Sequence, residues 1–307
     1  MLNVDPLPPL ETFVRQRDGV PIVVPCLELV AFSKAPVEKA GAGFARFFAA
    51  FRARFGDQLA LYNTADMKGM KRVGADTLDM VPFWFEGGRG TPKGNLAFYA
   101  HSGASPEAVW PPAFEMFCDR ISDVPNAFFR MVLPADRSGG DADPFLALVH
   151  DALDEFPLLS GYAGYSFLWR TLNVGVNAEA IAHYAPLLRR HPGFVHGKTM
   201  EFIETALFGV VTVDWLTLLG PELAKKAGGA EKLAGALAPD ATVQPLGKGL
   251  MLRAGPRPQF GDVNRHDRLP AYQRVARALK KLRAPADQAY IEGLTEEQRE
   301  EWFARFD

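Results

Sequence analysis

Residues 210–264 read VVTVDWLTLLGPELAKKAGGAEKLAGALAPDATVQPLGKGLMLRAGPRPQFGDVN, and their reading decides the fold. The β-branched run Val210-Val211-Thr212-Val213 suits a pleated strand. Beyond Asp214 and Trp215 an apolar-periodic segment continues to Gly228-Gly229, and a short helical run follows to Leu237. Thr242–Leu246 and Leu250–Ala254 read as two strands joined at Gly247-Lys248-Gly249, the signal of a hairpin. The stretch closes in a Gly/Pro loop, Gly255–Asn264, that carries Asp262 and Asn264.

The same alternation of strands and helices extends outward. Residues 1–19 form a proline-bearing arm. Val20–Phe32 is a long β run in which Pro21 and Pro25 suggest an edge or a bulge. Pro36 suits a first helical position, and Val37, Ala40, Phe44, Phe47, Phe48 and Phe51 follow at helical spacing. Leu59–Tyr62, Val81–Phe85, Asn95–His101 and Asn126–Leu133 read as strands, the last two pairing, with a helix around Pro112–Cys118. Residues 20–135 are thus a β-α-β-β-β first half. Asp143-Pro144 caps a helix bearing Phe145, Leu148, Val149, Ala152, Leu153 and Phe156. Gly161–Arg170 is a strand, and Asn177 caps a helix that His191-Pro192-Gly193 ends. Residues 136–284 make an α/β second half. A helix with Tyr272, Val275, Ala276, Leu279 and Leu282 on one side follows the Gly/Pro loop. The tail, 285–307, carries a capping box from Thr295 to Gln298. The fold class expected is α+β, with mainly antiparallel sheet flanked by amphipathic helices and the halves packed as one unit. Both halves mix long strands with helices, which leaves room for a remote duplication.

Bulk properties exclude several functions. The 307 residues carry a net charge of −2 and are 48% hydrophobic and 23% charged, and the pI is about 6.3. That balance invites neither nucleic acid nor a membrane surface. No run long enough to span a bilayer exists, and the N-terminus lacks the charged start and apolar core of a secretory leader. A cytoplasmic protein is expected. Cys26 and Cys118 sit in apolar sequence and read as buried thiols. The 23 phenylalanines need no hydrogen-bond partner and point to core filling rather than base stacking.

Particular residues carry a resemblance. The run Trp215 to Gly220, the Gly228-Gly229 pair, the Gly247/Gly249 hairpin and the loop Ala254 to Asn264 resemble the bacterial type VI secretion immunity proteins, long carried as a domain of unknown function. Gly161-Tyr162-Ala163-Gly164-Tyr165, His191-Pro192-Gly193 and Pro270-Ala271-Tyr272 fit the same family. The likeness covers roughly residues 21–283. The family more often has Asn where this chain has Asp214. The resemblance implies a stoichiometric inhibitor of a cognate secreted toxin, most readily a nuclease acting in the cytoplasm. It implies no catalytic residues, cofactor or metal. No direct contact with nucleic acid or membrane is expected, and homo-oligomerisation stays open.

Other chemistry finds little support in the residues. Gly193 to Thr199 imitates a phosphate loop but has three residues where four are needed before Gly-Lys-Thr. The six histidines lack zinc-ligand spacing. Trp215, Gly220, Gly247, Gly249, Gly255, Gly261, Asp262 and Asn264 are read as structural, Asp262 and Asn264 by fixing their own loop. The alternative is a small-molecule hydrolytic enzyme using Asp262 and a histidine; a closed convergent pocket would favour it and a broad surface would favour a binder. Six acids, Asp136, Asp141, Asp143, Asp151, Asp154 and Glu155, stand against one Arg between positions 136 and 155. They are the expected partner-facing side, since a nuclease cleft is positive. Seven Lys/Arg between 265 and 283 face only Asp267. This basic segment is read as a solvated face.

Overall fold

The computed structural model describes residues 8–87, 91–135, 143–169 and 174–307. The chain runs β1 (Arg15–Arg17), β2 (Val20–Ser33), α1 (Val37–Phe55), β3 (Leu61–Thr64), β4 (Lys71–Arg72), α2 (Met80–Phe85), β5 (Leu96–His101), β6 (Ala113–Cys118) and β7 (Ala127–Pro134). It continues with α3 (Asp143–Leu153), β8 (Ser160–Leu168), α4 (Val174–Arg190), β9 (Phe194–Val195), β10 (Leu216–Leu219), α5 (Pro221–Lys226), α6 (Gly229–Leu237), β11 (Thr242–Leu246), β12 (Gly249–Arg253), α7 (Pro270–Leu279) and α8 (Glu296–Phe303).

Among the described residues, twelve strands form one sheet in the order β11-β12-β10-β8-β2-β7-β6-β5-β3-β4, with β1 on β2 and β9 on β8. All these pairings are antiparallel except β8–β9. The fold is therefore α+β, an antiparallel sheet flanked by helices. The β2–β8 pair, from Val24↔Leu168 to Phe32↔Ser160, joins the strands of the N-terminal half to those of the C-terminal half.

Period-2 alternation splits the central strands. Leu27, Leu29, Ala31, Phe114, Met116, Phe129 and Met131 join the apolar cluster that α1 and α3 cover. Phe47 lies at the middle of it, its ring 5.4 Å from Phe129 and 5.3 Å from Phe156. The alternate residues Val30, Phe32, Phe128 and Tyr162 belong to a second cluster with Phe202, Ile203, Ala206 and Val211. That side also receives α4, α8 and the short 3-10 turns Thr199–Phe202 and Thr205–Phe208.

Several elements differ from the sequence expectation. Residues 80–85 are helix, because Val81 and Trp84 at i and i+3 are the buried pair. Residues 113–118 are strand, not helix: Phe114, Met116 and Cys118 alternate into the core, and β6 lies between β5 and β7, which do not pair. The strand expected at 210–213 is reduced to a single bridge at Val210, and the regular strand starts at Leu216. Asn177 lies inside α4 rather than capping it. β2 is a central strand. Its doubly paired part is Cys26–Phe32, so Pro25, paired with β8 alone, sits where the β7 side is still empty. No helix of the described residues is long and apolar enough to cross a membrane.

Candidate functional site

Trp215, at the start of β10, is fully buried; its indole Nε1 donates to the Gly255 carbonyl at 3.1 Å and its ring stacks on Phe145. Gly220 ends β10 where any Cβ would collide with the Leu158 carbonyl. Gly247, at φ +52°, turns the β11–β12 hairpin, and Gly249 opens β12. Gly255 and Gly261 bracket the loop that holds Asp262 and Asn264. The Asp262 carboxylate accepts the Asn264 backbone N–H at 2.9 Å and two bonds from Arg190, the shorter 2.7 Å. Those Arg190 bonds hold the carboxyl below the usual range, against the opposing effect of burial. His191 beside it is buried and bonds through Nδ1 to the Gly261 carbonyl. Asp262 itself is 1% exposed, so the carboxylate of the enzyme alternative does not face solvent.

Asp214 is buried with one oxygen accepting the Trp215 N–H at 2.6 Å. Gly164 leaves the room its carboxyl needs. Burial pushes this carboxyl well above the ordinary range.

Two buried ionic clusters were not legible as sites. Arg130 on β7 bonds Glu28 of β2 at 2.7 Å and approaches Glu115 of β6 at 3.5 Å, all three essentially without exposure. Burial opposes the Arg130 charge, but the two carboxylates hold its pKa above the ordinary value. A single charge inside each apolar run (LELV, AFEMF, FFRMV) was the available signal. The second cluster ties the tail to the body. His196 Nε2 meets Glu201 Oε2 at 2.6 Å, and Lys198 bridges Glu201 at 2.9 Å and Glu292 at 2.6 Å. The Tyr184 hydroxyl donates to the Glu292 carbonyl at 2.9 Å. Lys198, the lysine of the phosphate-loop imitation, is thereby taken by carboxylates. Farther along, the Arg305 guanidinium donates to Pro192 O, Trp302 O and Thr212 Oγ1 and stacks 3.7 Å over Trp302. Among the described residues no three His, Cys, Asp or Glu side chains converge as a metal site.

The acidic segment is differently placed. Asp136 and Asp141 lie outside the described residues. Asp143 opens α3. Asp151 pairs with Arg54, and Asp154 and Glu155 both pair with Arg46, at 3.2 and 2.9 Å. Both arginines come from α1, so on this face three acids share two arginines. The basic segment is also partly neutralised, Arg265 by Asp267, Arg274 by Asp240 and Arg283 by Asp307.

Residues 44–306 match the family described as TsiV, type VI immunity for VRR-NUC, and the chain belongs to that family. Among solved structures it is similar to the Pseudomonas aeruginosa T6SS protein PA0821, at 20% identity and a TM-score of 0.78, over 96% of this chain and 87% of that one. That likeness is one of fold. No curated protein matches the chain.

Proposed function

We propose that this immunity protein binds a VRR-NUC nuclease toxin of the type VI secretion system and blocks its active site stoichiometrically, without catalysis of its own. The family match over residues 44–306 carries the reading. The inhibitor meets its toxin in the cytoplasm, where the DNA is. A single free toxin molecule is dangerous, so the complex must dissociate slowly, and affinity of this kind resides mainly in the off-rate. Co-expression with a VRR-NUC toxin of the type VI secretion system should restore growth, and titration of the purified pair should give a one-to-one complex of nanomolar or tighter affinity. Growth arrest despite co-expression, with no complex on titration, would exclude the reading.

A further inference from the structure

Phe208 and Tyr290 are 59% and 57% exposed, whereas Phe202 and Trp302 in the same segments are buried. They sit on one seam. Thr205 Oγ1 donates to the Gln288 carbonyl at 2.6 Å, so the turn carrying Phe208 lies against the loop carrying Tyr290. The backbone beneath is fixed on both sides: Val210 N donates to Leu282 O at 2.8 Å, and Glu292 N donates to Glu201 Oε2 at 3.0 Å. Two large rings held out on a rigid backbone are poorly explained by folding, which would bury them. They are well suited to fill pockets on a partner, because little entropy remains to be lost on binding.

The charge around them selects the partner. Residues 199–209 and 285–307 contain nine acids and two bases, Arg299 and Arg305. The Arg305 guanidinium is turned onto main-chain carbonyls, and the Arg299 side chain is 15% exposed. Glu204, Asp287, Glu297 and Glu300 are exposed and, among the described residues, form no ion pair. Unlike Asp151, Asp154 and Glu155, they keep their field. A surface that binds DNA must be positive, and an acidic surface with apolar anchors matches it.

We propose that the seam of residues 199–209 and 285–303 docks the basic DNA-binding face of the nuclease toxin, with Phe208 and Tyr290 as its anchors. This rests on the immunity reading above. The test uses the full chain and a catalytically inactive form of the VRR-NUC toxin that it neutralises on co-expression. Joint Phe208→Ala and Tyr290→Ala substitution should weaken binding by about 100-fold, through faster dissociation. Joint Glu204→Lys and Asp287→Lys should slow association and flatten its salt dependence. Asp151→Lys with Asp154→Lys should leave affinity within about three-fold, the range of ordinary surface changes. In the unsubstituted complex, hydrogen exchange should slow in 201–209 and 285–292, a readout that needs no variant. Near-normal affinity of the double alanine variant, or loss confined to the Asp151/Asp154 variant, would overturn the seam while leaving the immunity reading intact. No binding by the unsubstituted chain would overturn that reading and the seam with it.

Discussion

The α1–α3 face and the tail seam are both acid-rich in sequence, yet they differ as surfaces. On α3 and just beyond its end, Asp151, Asp154 and Glu155 each meet an arginine of α1. On the seam, Glu201 and Glu292 share the inward Lys198 and leave Glu204, Asp287, Glu297 and Glu300 outside that pairing. The seam also presents two exposed aromatic rings. A run of like charge in a sequence thus says little about the field until its tertiary neighbours are known, because a pair within 4 Å cancels at distance what each member would project.

The largest expected effect breaks the comparison from the α1 side. Phe47→Ala removes a ring held between Phe114, Phe129 and Phe156. It should cost about 3–5 kcal/mol in urea unfolding. Affinity for the toxin, measured under folding conditions, should remain, because the seam is built on the other cluster.

Lys198→Met acts on the seam itself. It leaves Glu201 and Glu292 facing each other and should cost about 1–2 kcal/mol, discounted for the partial exposure of the site. Here affinity should fall together with stability. The same cluster gives the seam a pH dependence. Burial would raise the Glu201 carboxyl, but the bonds from His196, Lys198 and the Glu292 N–H hold it below its ordinary 4.5. With a depressed folded value, the stabilisation is full above that pH and is lost as the pH falls through the folded pKa. Hydrogen exchange in 285–303 should therefore accelerate below about pH 4.5 ahead of exchange in α1, and Glu201→Gln should remove the difference.

Thr295→Ala is smaller. The capping box pairs Thr295 Oγ1 with Gln298 N at 3.3 Å and Gln298 Oε1 with Thr295 N at 3.1 Å. Its loss should cost about 1 kcal/mol and show first as fraying of α8. The smallest effect is on the paired face. Arg46→Ala removes two exposed ion pairs and should change stability by less than about 1 kcal/mol in thermal melts. It should, however, make the α3 acids visible to a cation. If toxin association then quickened in this variant, pairing with Arg46 would be what holds back the field of Asp154 and Glu155 in the native chain.

Much of the fold was legible locally. The stripe on α1, the hairpin at Gly247 and the Thr295 box each depend on residues a few positions apart, and all stand where the pattern put them. The misplaced elements are those whose pattern is ambiguous over six residues. AFEMFC alternates, yet its neighbours Pro111 and Pro112 also suit a helix start. Only pairing with β5 and β7 on both sides makes it a strand. MVPFWF has no polar alternation, and the helix of α2 follows from packing on α1.

The sequence by itself determined the class of elements, the core stripes and, through the motifs between Trp215 and Asn264, the family. Tertiary structure alone decided which charges are paired. Arg130 finds Glu28 across 102 residues, Lys198 finds Glu292 across 94, and Arg46 finds Glu155 across 109. Helical and pleated periods are short-range properties that a chain carries wherever it lies. Ion pairing and exposure depend on which distant segments the sheet order brings together, and for this protein those contacts pair Asp151, Asp154 and Glu155 with two arginines and leave Glu204, Asp287, Glu297 and Glu300 outside any ion pair among the described residues.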